Sequence, residues 1–212
     1  MIRCVVFDFD GTLVLSNELK REGFFAAVSG HGAGVARMER ILASLPGDRY
    51  AIIRQFSEET GGNADELAMH YSNWCEERIL VCPERPGASL ALAQLHGAGI
   101  SVHVNSATPT APLKSVVLRR YGAISFAGVH GEHGAKRANL ELILHQERLP
   151  PSALAMVGDG IDDREAALSL GCRFVGVDGG TLAAADLGEQ LLFNLEDLWP
   201  LLQGETAEAA PA

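Results

Sequence analysis

No Cys-x-x-Cys pair occurs anywhere in the 212 residues. The four cysteines, Cys4, Cys75, Cys82 and Cys172, are scattered, which argues against a structural zinc site and a disulfide framework. Buried thiols in a reducing compartment are the plain expectation. No apolar run approaches the ~18 residues of a membrane span. No basic block stands out either: 17 Lys and Arg face 27 Asp and Glu, for a formal net charge of −10. Nucleic acid and anionic membrane surfaces are therefore poor partners. An anionic small substrate is not excluded, because a local site can invert the global field. There is no internal repeat, and no secretory pattern precedes the first apolar run, so a cytoplasmic location is expected. The chain does have 47% apolar and 21% charged residues. That suits a soluble α/β core, alone or with a smaller insert, stable without disulfides or structural metal.

Cys4-Val5-Val6-Phe7 is a short apolar run that stops at Asp8-Phe9-Asp10-Gly11, as a buried strand stops at a turn. Ile100 to Val104, Ala153 to Val157 and Arg173 to Val177 have the same character, and Ile124 to Val129 is a fifth candidate. Helical faces lie between them: Leu113, Val116, Val117 and Tyr121; then Leu140, Ile143 and Leu144; then Ala166, Ala167 and Leu170. This alternation predicts a parallel sheet with helices on both faces, and near-continuous apolar strands fit double-sided burial. Residues 16–85 break the pattern with helical segments and no convincing strand. Within them Asn63 reads as an N-cap, followed by Leu67, Tyr71, Trp74 and Arg78 on one helical face. Pro83 and Pro86-Gly87 punctuate the return. The expected organisation is a core of residues 1–15 and 86–212 with a helical cap of residues 16–85. The tail from Gln203 to Ala212 is rich in Ala and Glu and is expected to fray.

Chemistry-bearing residues gather where strands end. Asp8 and Asp10 stand two apart on extended backbone and so point to one side, and two such carboxylates are costly without a cation or a proton. Asn105-Ser106-Ala107-Thr108-Pro109 offers hydroxyls and N–H groups suited to a phosphate, although Ser or Thr before Pro is also a common helix cap. Lys136 opens a predicted helix after Gly131 and Gly134, and alone would read as a surface lysine. Gly158-Asp159-Gly160-Ile161-Asp162-Asp163 places three acids after an apolar strand, more than one turn and one cap explain, and invites a hard cation.

These four segments, in this order, resemble the haloacid dehalogenase-like superfamily. The likeness is to its phosphatase branch with a helical C1-type cap after the first motif, which includes phosphoglycolate phosphatases and β-phosphoglucomutases. It implies an α/β fold, a Rossmann-like parallel sheet core with an inserted α-helical cap domain. It also implies a Mg²⁺-dependent phosphomonoesterase for a small phosphorylated metabolite. By the same resemblance Asp8 is the nucleophile and Asp10 the general acid and base. Ser106, the N–H of Ala107 and Thr108 bind phosphate oxygens. Lys136 offsets charge between Asp8 and the phosphate. Asp159 joins Asp8 and the Asp10 carbonyl on the metal, and Asp163 either binds through water or orients Lys136. A monomer or homodimer is expected.

Charge counting gives the metal a physical reason. Three ionised carboxylates and a phosphate dianion carry −5, and Lys136 with Mg²⁺ reduces this to about −2. One unit repulsion at ~4 Å is about 4 kcal/mol even at an effective dielectric near 20. In the cap, Leu45-Pro46-Gly47-Asp48-Arg49-Tyr50 resembles the turn where capped relatives carry a substrate-contacting arginine. Arg49 suits a second anion, or else an ordinary surface salt bridge. His31, His70, His96 and His145 show no ligand spacing, whereas His130 and His133 flank the Lys136 loop. A sugar phosphomutase fits less well, since those relatives usually place Glu where Gly158 stands. Dehalogenases fill the Asp10 position with an uncharged residue. A non-catalytic binding module would not need all four motifs filled with reactive side chains.

Overall fold

Cys4–Phe7 forms β1, four consecutive residues with no solvent exposure. In the computed structural model, which describes residues 1–44, 49–122, 124, 126–132, 135–182 and 191–204, this strand is the middle of a five-stranded sheet. The others are β2 (Ser101–Ser106), β3 (Gly128–Gly131), β4 (Leu154–Gly158) and β5 (Arg173–Gly176). The order is β3-β2-β1-β4-β5 and every pairing is parallel. Parallel neighbours need crossovers, and these are helices: α5 (Ala88–Gly97), α6 (Thr110–Tyr121), α7 (Lys136–Glu147) and α8 (Ile161–Ser169), with α9 (Leu198–Gln203) near the end.

The buried helix residues are those that periodicity selects: Leu113, Val116, Val117 and Tyr121 on α6, and Leu140 and Ile143 on α7. Cys4 and Val6 of β1 pack with Leu140, Ile143, Ala166 and Ala167 in one cluster. Each fully buried large aliphatic side chain contributes about 1.5–3 kcal/mol. The fifth strand lies later than its apolar run suggests. Ile124 N–H closes a turn onto Tyr121 O (2.7 Å), so pairing in register begins only at Gly128, opposite His103. The β3 residues sit at a sheet edge, and Gly128, Val129 and His130 are only half-buried.

The described residues form two compact units, Met1–Leu15 with Cys82–Ala212, and Ser16–Val81. Cys82–Arg85, which the proline punctuation leaves with the helical segment, are bonded into the first unit. Leu15 N–H donates to Pro83 O (2.9 Å) and Arg85 N–H to Leu13 O (3.0 Å). The second unit is helical: α1 (Asn17–Ala27), α2 (Gly34–Ser44), α3 (Arg49–Thr60) and α4 (Ala64–Ile79). Its core joins Phe24, Met38, Ile41, Ile52, Phe56, Leu67 and Tyr71. Gly23 lets α1 approach α4 closely, since a Cβ there would meet Cys75 Sγ at 2.7 Å. Asn63 caps α4, its Oδ1 accepting the N–H groups of Asp65 (3.0 Å) and Glu66 (3.4 Å). Trp74 packs against the core partly buried, with the Arg78 guanidinium 4.2 Å from its ring centre.

Candidate active site

The register of the sheet creates the site. Phe7, the last residue of β1, lies opposite Val104 on β2 and Val157 on β4. Neighbouring parallel strands run about 4.8 Å apart, so the residues just past these three strand ends must converge. They are Asp8 and Asp10 after β1, Ser106 to Thr108 at the end of β2, and Asp159 after β4. The loop after β1 is tight: Leu13 and Val14 N–H both donate to Phe9 O (3.0 and 3.1 Å). Gly11, at φ +76°, turns the chain through a conformation that L side chains rarely adopt.

Asp8, Asp159 and Asp163 are buried and offer carboxylate oxygens that all lie within 4.8 Å of one another. Asp8 Oδ1 accepts the Phe9 N–H (2.7 Å), and its Oδ2 lies 3.2 Å from Lys136 Nζ. Asp159 Oδ1 accepts the Thr12 hydroxyl (3.1 Å). Both oxygens of Asp163 are engaged, Oδ1 with Lys136 Nζ (2.6 Å) and Oδ2 with the Gly160 N–H (3.1 Å). Gly158 permits this, because a Cβ there would collide with the Asp163 carboxylate. Lys136 stands in the first turn of α7, is buried, and also reaches Asp162 Oδ2 at 3.1 Å.

Lys136 is fixed at its main-chain end as well. Asn105 Nδ2 donates to Lys136 O (2.9 Å), and Asn105 Oδ1 accepts from Asn139 Nδ2 (2.9 Å). On the β2 side Asp10 Oδ2 accepts the hydroxyls of Thr108 (3.0 Å) and Ser106 (3.4 Å), while Ser106 Oγ accepts the Thr108 N–H (3.1 Å). Ala107 lies half-buried between these two residues.

Burial pushes Asp8 up to about 7, with Asp159 and Asp10 adding to the shift and Lys136 and the Phe9 N–H opposing it. Burial pulls Lys136 down, but Asp8, Asp163 and Asp162 outweigh it and hold the ammonium protonated well above the ordinary lysine range. Burial and the Asp8 carboxylate push Asp163 up, against the pull of Lys136. Three buried carboxylates with one lysine among them are short of positive charge. All-oxygen donors at this spacing fit a hard divalent cation, so the cluster can coordinate one.

Elsewhere the candidates divide. His130 is turned to a partner: its Nε2 lies 3.3 Å from His103 Nδ1, and His103 Nε2 lies 2.9 Å from Glu147 Oε1. Arg49 opens α3, donates to the Tyr50 hydroxyl (2.8 Å) and stacks over the Tyr50 ring at 4.7 Å. Leu45–Asp48, His133 and the tail beyond Gly204 lie outside the described residues. Among the described residues no helix is long and apolar enough to cross a membrane. Several contributors escape a reading of the motifs. Thr12, Asn105 and Asp162 touch Asp159, Lys136 O and Lys136 Nζ respectively. A signal for Asn105 does exist: Ser101, His103 and Asn105 alternate with Val102 and Val104 along a buried strand.

The sequence model of the haloacid dehalogenase-like hydrolases matches residues 2–171. The chain belongs to this family. As a haloacid dehalogenase-like hydrolase the protein is an enzyme, and its acidic cluster lies at the strand ends of a Rossmann-like core. Among solved structures it is similar in fold to a predicted phosphoglycolate phosphatase from Haemophilus somnus 129pt, with 17% identity and a TM-score of 0.76 over 95% of this chain and 98% of that one. CbbY from Rhodobacter sphaeroides, solved with phosphate, gives 18% identity and a TM-score of 0.73 over 93% and 96%. A subfamily IA hydrolase of the same superfamily from Geobacter sulfurreducens PCA gives 19% identity and a TM-score of 0.69 over 95% and 96%. Among curated proteins none matches.

Proposed function

We propose that this haloacid dehalogenase-like hydrolase is a Mg²⁺-dependent phosphomonoesterase that works through an aspartyl-phosphate on Asp8. The observation that carries the reading is the bridge made by Lys136 Nζ between Asp8 (3.2 Å) and Asp163 (2.6 Å) inside a buried carboxylate cluster. A lysine so placed serves an anion that must approach Asp8. Asp8, Asp159 and the Asp10 carbonyl would hold a magnesium ion, which would supply the positive charge a carboxylate needs beside a phosphate dianion.

In the first half-reaction an Asp8 carboxylate oxygen attacks phosphorus, the ester P–O bond breaks, and the Asp10 carboxyl gives its proton to the departing oxygen. In the second, Asp10 takes a proton from water as that water attacks phosphorus. The P–O bond to Asp8 then breaks, releasing inorganic phosphate and restoring the carboxylate. Ser106, Thr108 and the Ala107 N–H bind the non-bridging oxygens. Asp163, with both oxygens occupied by donors, orients Lys136 and stays off the metal.

The substrate class is a small phosphorylated metabolite, in keeping with CbbY of R. sphaeroides, which is similar in fold and is seen with phosphate. Arg49, stacked on Tyr50, is the cap residue proposed to read the rest of the substrate. A phosphomutase is disfavoured because Gly158 stands where those relatives usually place Glu. The test is release of phosphate from p-nitrophenyl phosphate and a panel of phosphorylated metabolites, with Mg²⁺ and with chelator. Turnover that needs the metal supports the reading. Turnover unaffected by chelation, or isomerisation of a phosphosugar without net phosphate release, overturns it.

A further inference from the structure

Arg85 is a buried arginine whose side-chain hydrogen-bond partners among the described residues are all main-chain oxygens. Its Nε donates to Thr12 O (3.1 Å), Nη1 to Phe193 O (3.1 Å), and Nη2 to both Asp178 O (2.6 Å) and Gly11 O. Four carbonyls from three separate segments converge on one planar fork. They belong to the loop after β1, the loop after β5, and the stretch before α9. Its own backbone is tied to the same first loop, since Arg85 N–H donates to Leu13 O (3.0 Å). Taking a guanidinium out of water is expensive, and the expense is recovered only if its donors are satisfied. Here a rigid five-donor fork meets acceptors that a lysine's three donors on a single nitrogen cannot reach together.

The loop it grips is the one that matters chemically. It starts at Asp8 and contains Thr12, whose carbonyl is bonded to Arg85 and whose hydroxyl is bonded to Asp159. Thr12 thus joins the arginine to the second acidic loop. Removing the fork frees Gly11 and Thr12 to shift, and with them the spacing between Asp8 and Asp159.

We propose that Arg85 is a positioning residue for the reaction: its guanidinium clamps the carbonyls of Gly11 and Thr12 and so sets the Asp8 loop against Asp159. The kinetic part of this inference rests on the phosphatase function proposed for the Asp8 site. The clamp itself does not, and it can be tested without turnover.

The experiment compares wild type with R85K and R85M, each first shown to be folded by circular dichroism. Steady-state kinetics use p-nitrophenyl phosphate with Mg²⁺, and amide hydrogen exchange is followed in metal-free protein. A misplacement of the loop by about 1 Å predicts a fall in kcat of about 10²-fold with KM nearly unchanged. Exchange should quicken in residues 9–15 while α7 and β4 keep wild-type protection. If R85M does not fold, R85K carries the test. A folded variant with kcat within about twofold of wild type overturns the proposal, as does unchanged exchange in residues 9–15. So does faster exchange throughout the first unit with kcat and thermal midpoint falling together, because that pattern is general destabilisation. If wild type hydrolyses no phosphate ester but R85K still loosens residues 9–15 selectively, the phosphatase reading fails and the clamp stands.

Discussion

The two units of this hydrolase bury different things. Among the described residues, every buried charged side chain (Asp8, Arg85, Lys136, Asp159 and Asp163) lies in the sheet-containing unit. Among its described residues the helical unit buries two polar side chains, those of Ser16 and Ser57, beside an otherwise apolar cluster. One unit obeys a single rule, apolar inside, and its stability comes directly from burial. The other obeys that rule through β1, α6 and α7 and breaks it at the ends of β1 and β4, where carboxylates crowd against one lysine. Such crowding costs stability, and the surrounding aliphatic core offsets it. The difference separates scaffold from chemistry, and substitutions should respect the division.

The largest effect is expected at Asp8. Asp8→Asn should lower turnover of p-nitrophenyl phosphate by about 10⁶-fold, as removal of a nucleophile does, with the fold intact by circular dichroism. Asp10→Asn should slow both half-reactions, by about 10²–10⁴-fold for lost acid–base catalysis, read as kcat in single- and multiple-turnover experiments. Phe56→Ala, in the centre of the helical unit, should cost about 3–5 kcal/mol in chemical denaturation, yet leave unchanged the thermal-shift response to Mg²⁺ expected of the proposed metal site in the sheet unit. Loss of that Mg²⁺ response would mean that the division is not real.

A pH effect sharpens the same contrast. Buried Asp8 holds its proton up to about 7, against an ordinary value of 3.8, so between these values the folded chain binds a proton that the unfolded chain has released. The metal-free protein should therefore lose stability as pH rises across that window, and Asp8→Asn should flatten the loss, as thermal midpoints in chelator would record. The smallest effect is expected at Asn63. Replacing this cap with Ala should cost about 1 kcal/mol and leave kcat unchanged.

The sheet and the acidic site are legible in the sequence because both depend on residue type in a pattern. Asp8, Asp159 and Asp163 stand out since acids directly after buried apolar strands contradict burial unless something compensates them. The edge strand β3 is less legible, because three of its four residues are only half-buried and two are glycines. Thr12 and Arg85 are harder still. Each acts through specific hydrogen bonds, those of Arg85 to main-chain oxygens, and no periodicity marks such a partner. Arg85 stands just before Pro86-Gly87, at the end of the segment read as the helical cap, yet it is buried in the sheet-containing unit.

The central claim is that residue 8 carries the phosphoryl group during turnover. Wild-type enzyme quenched in acid while saturated with substrate, then reduced with borohydride, converts an acyl phosphate on aspartate to homoserine. Peptide mass mapping should find homoserine at position 8 and at no other carboxylate. An unmodified Asp8 under conditions of steady turnover, or homoserine at position 10 or 159 instead, would contradict the mechanism.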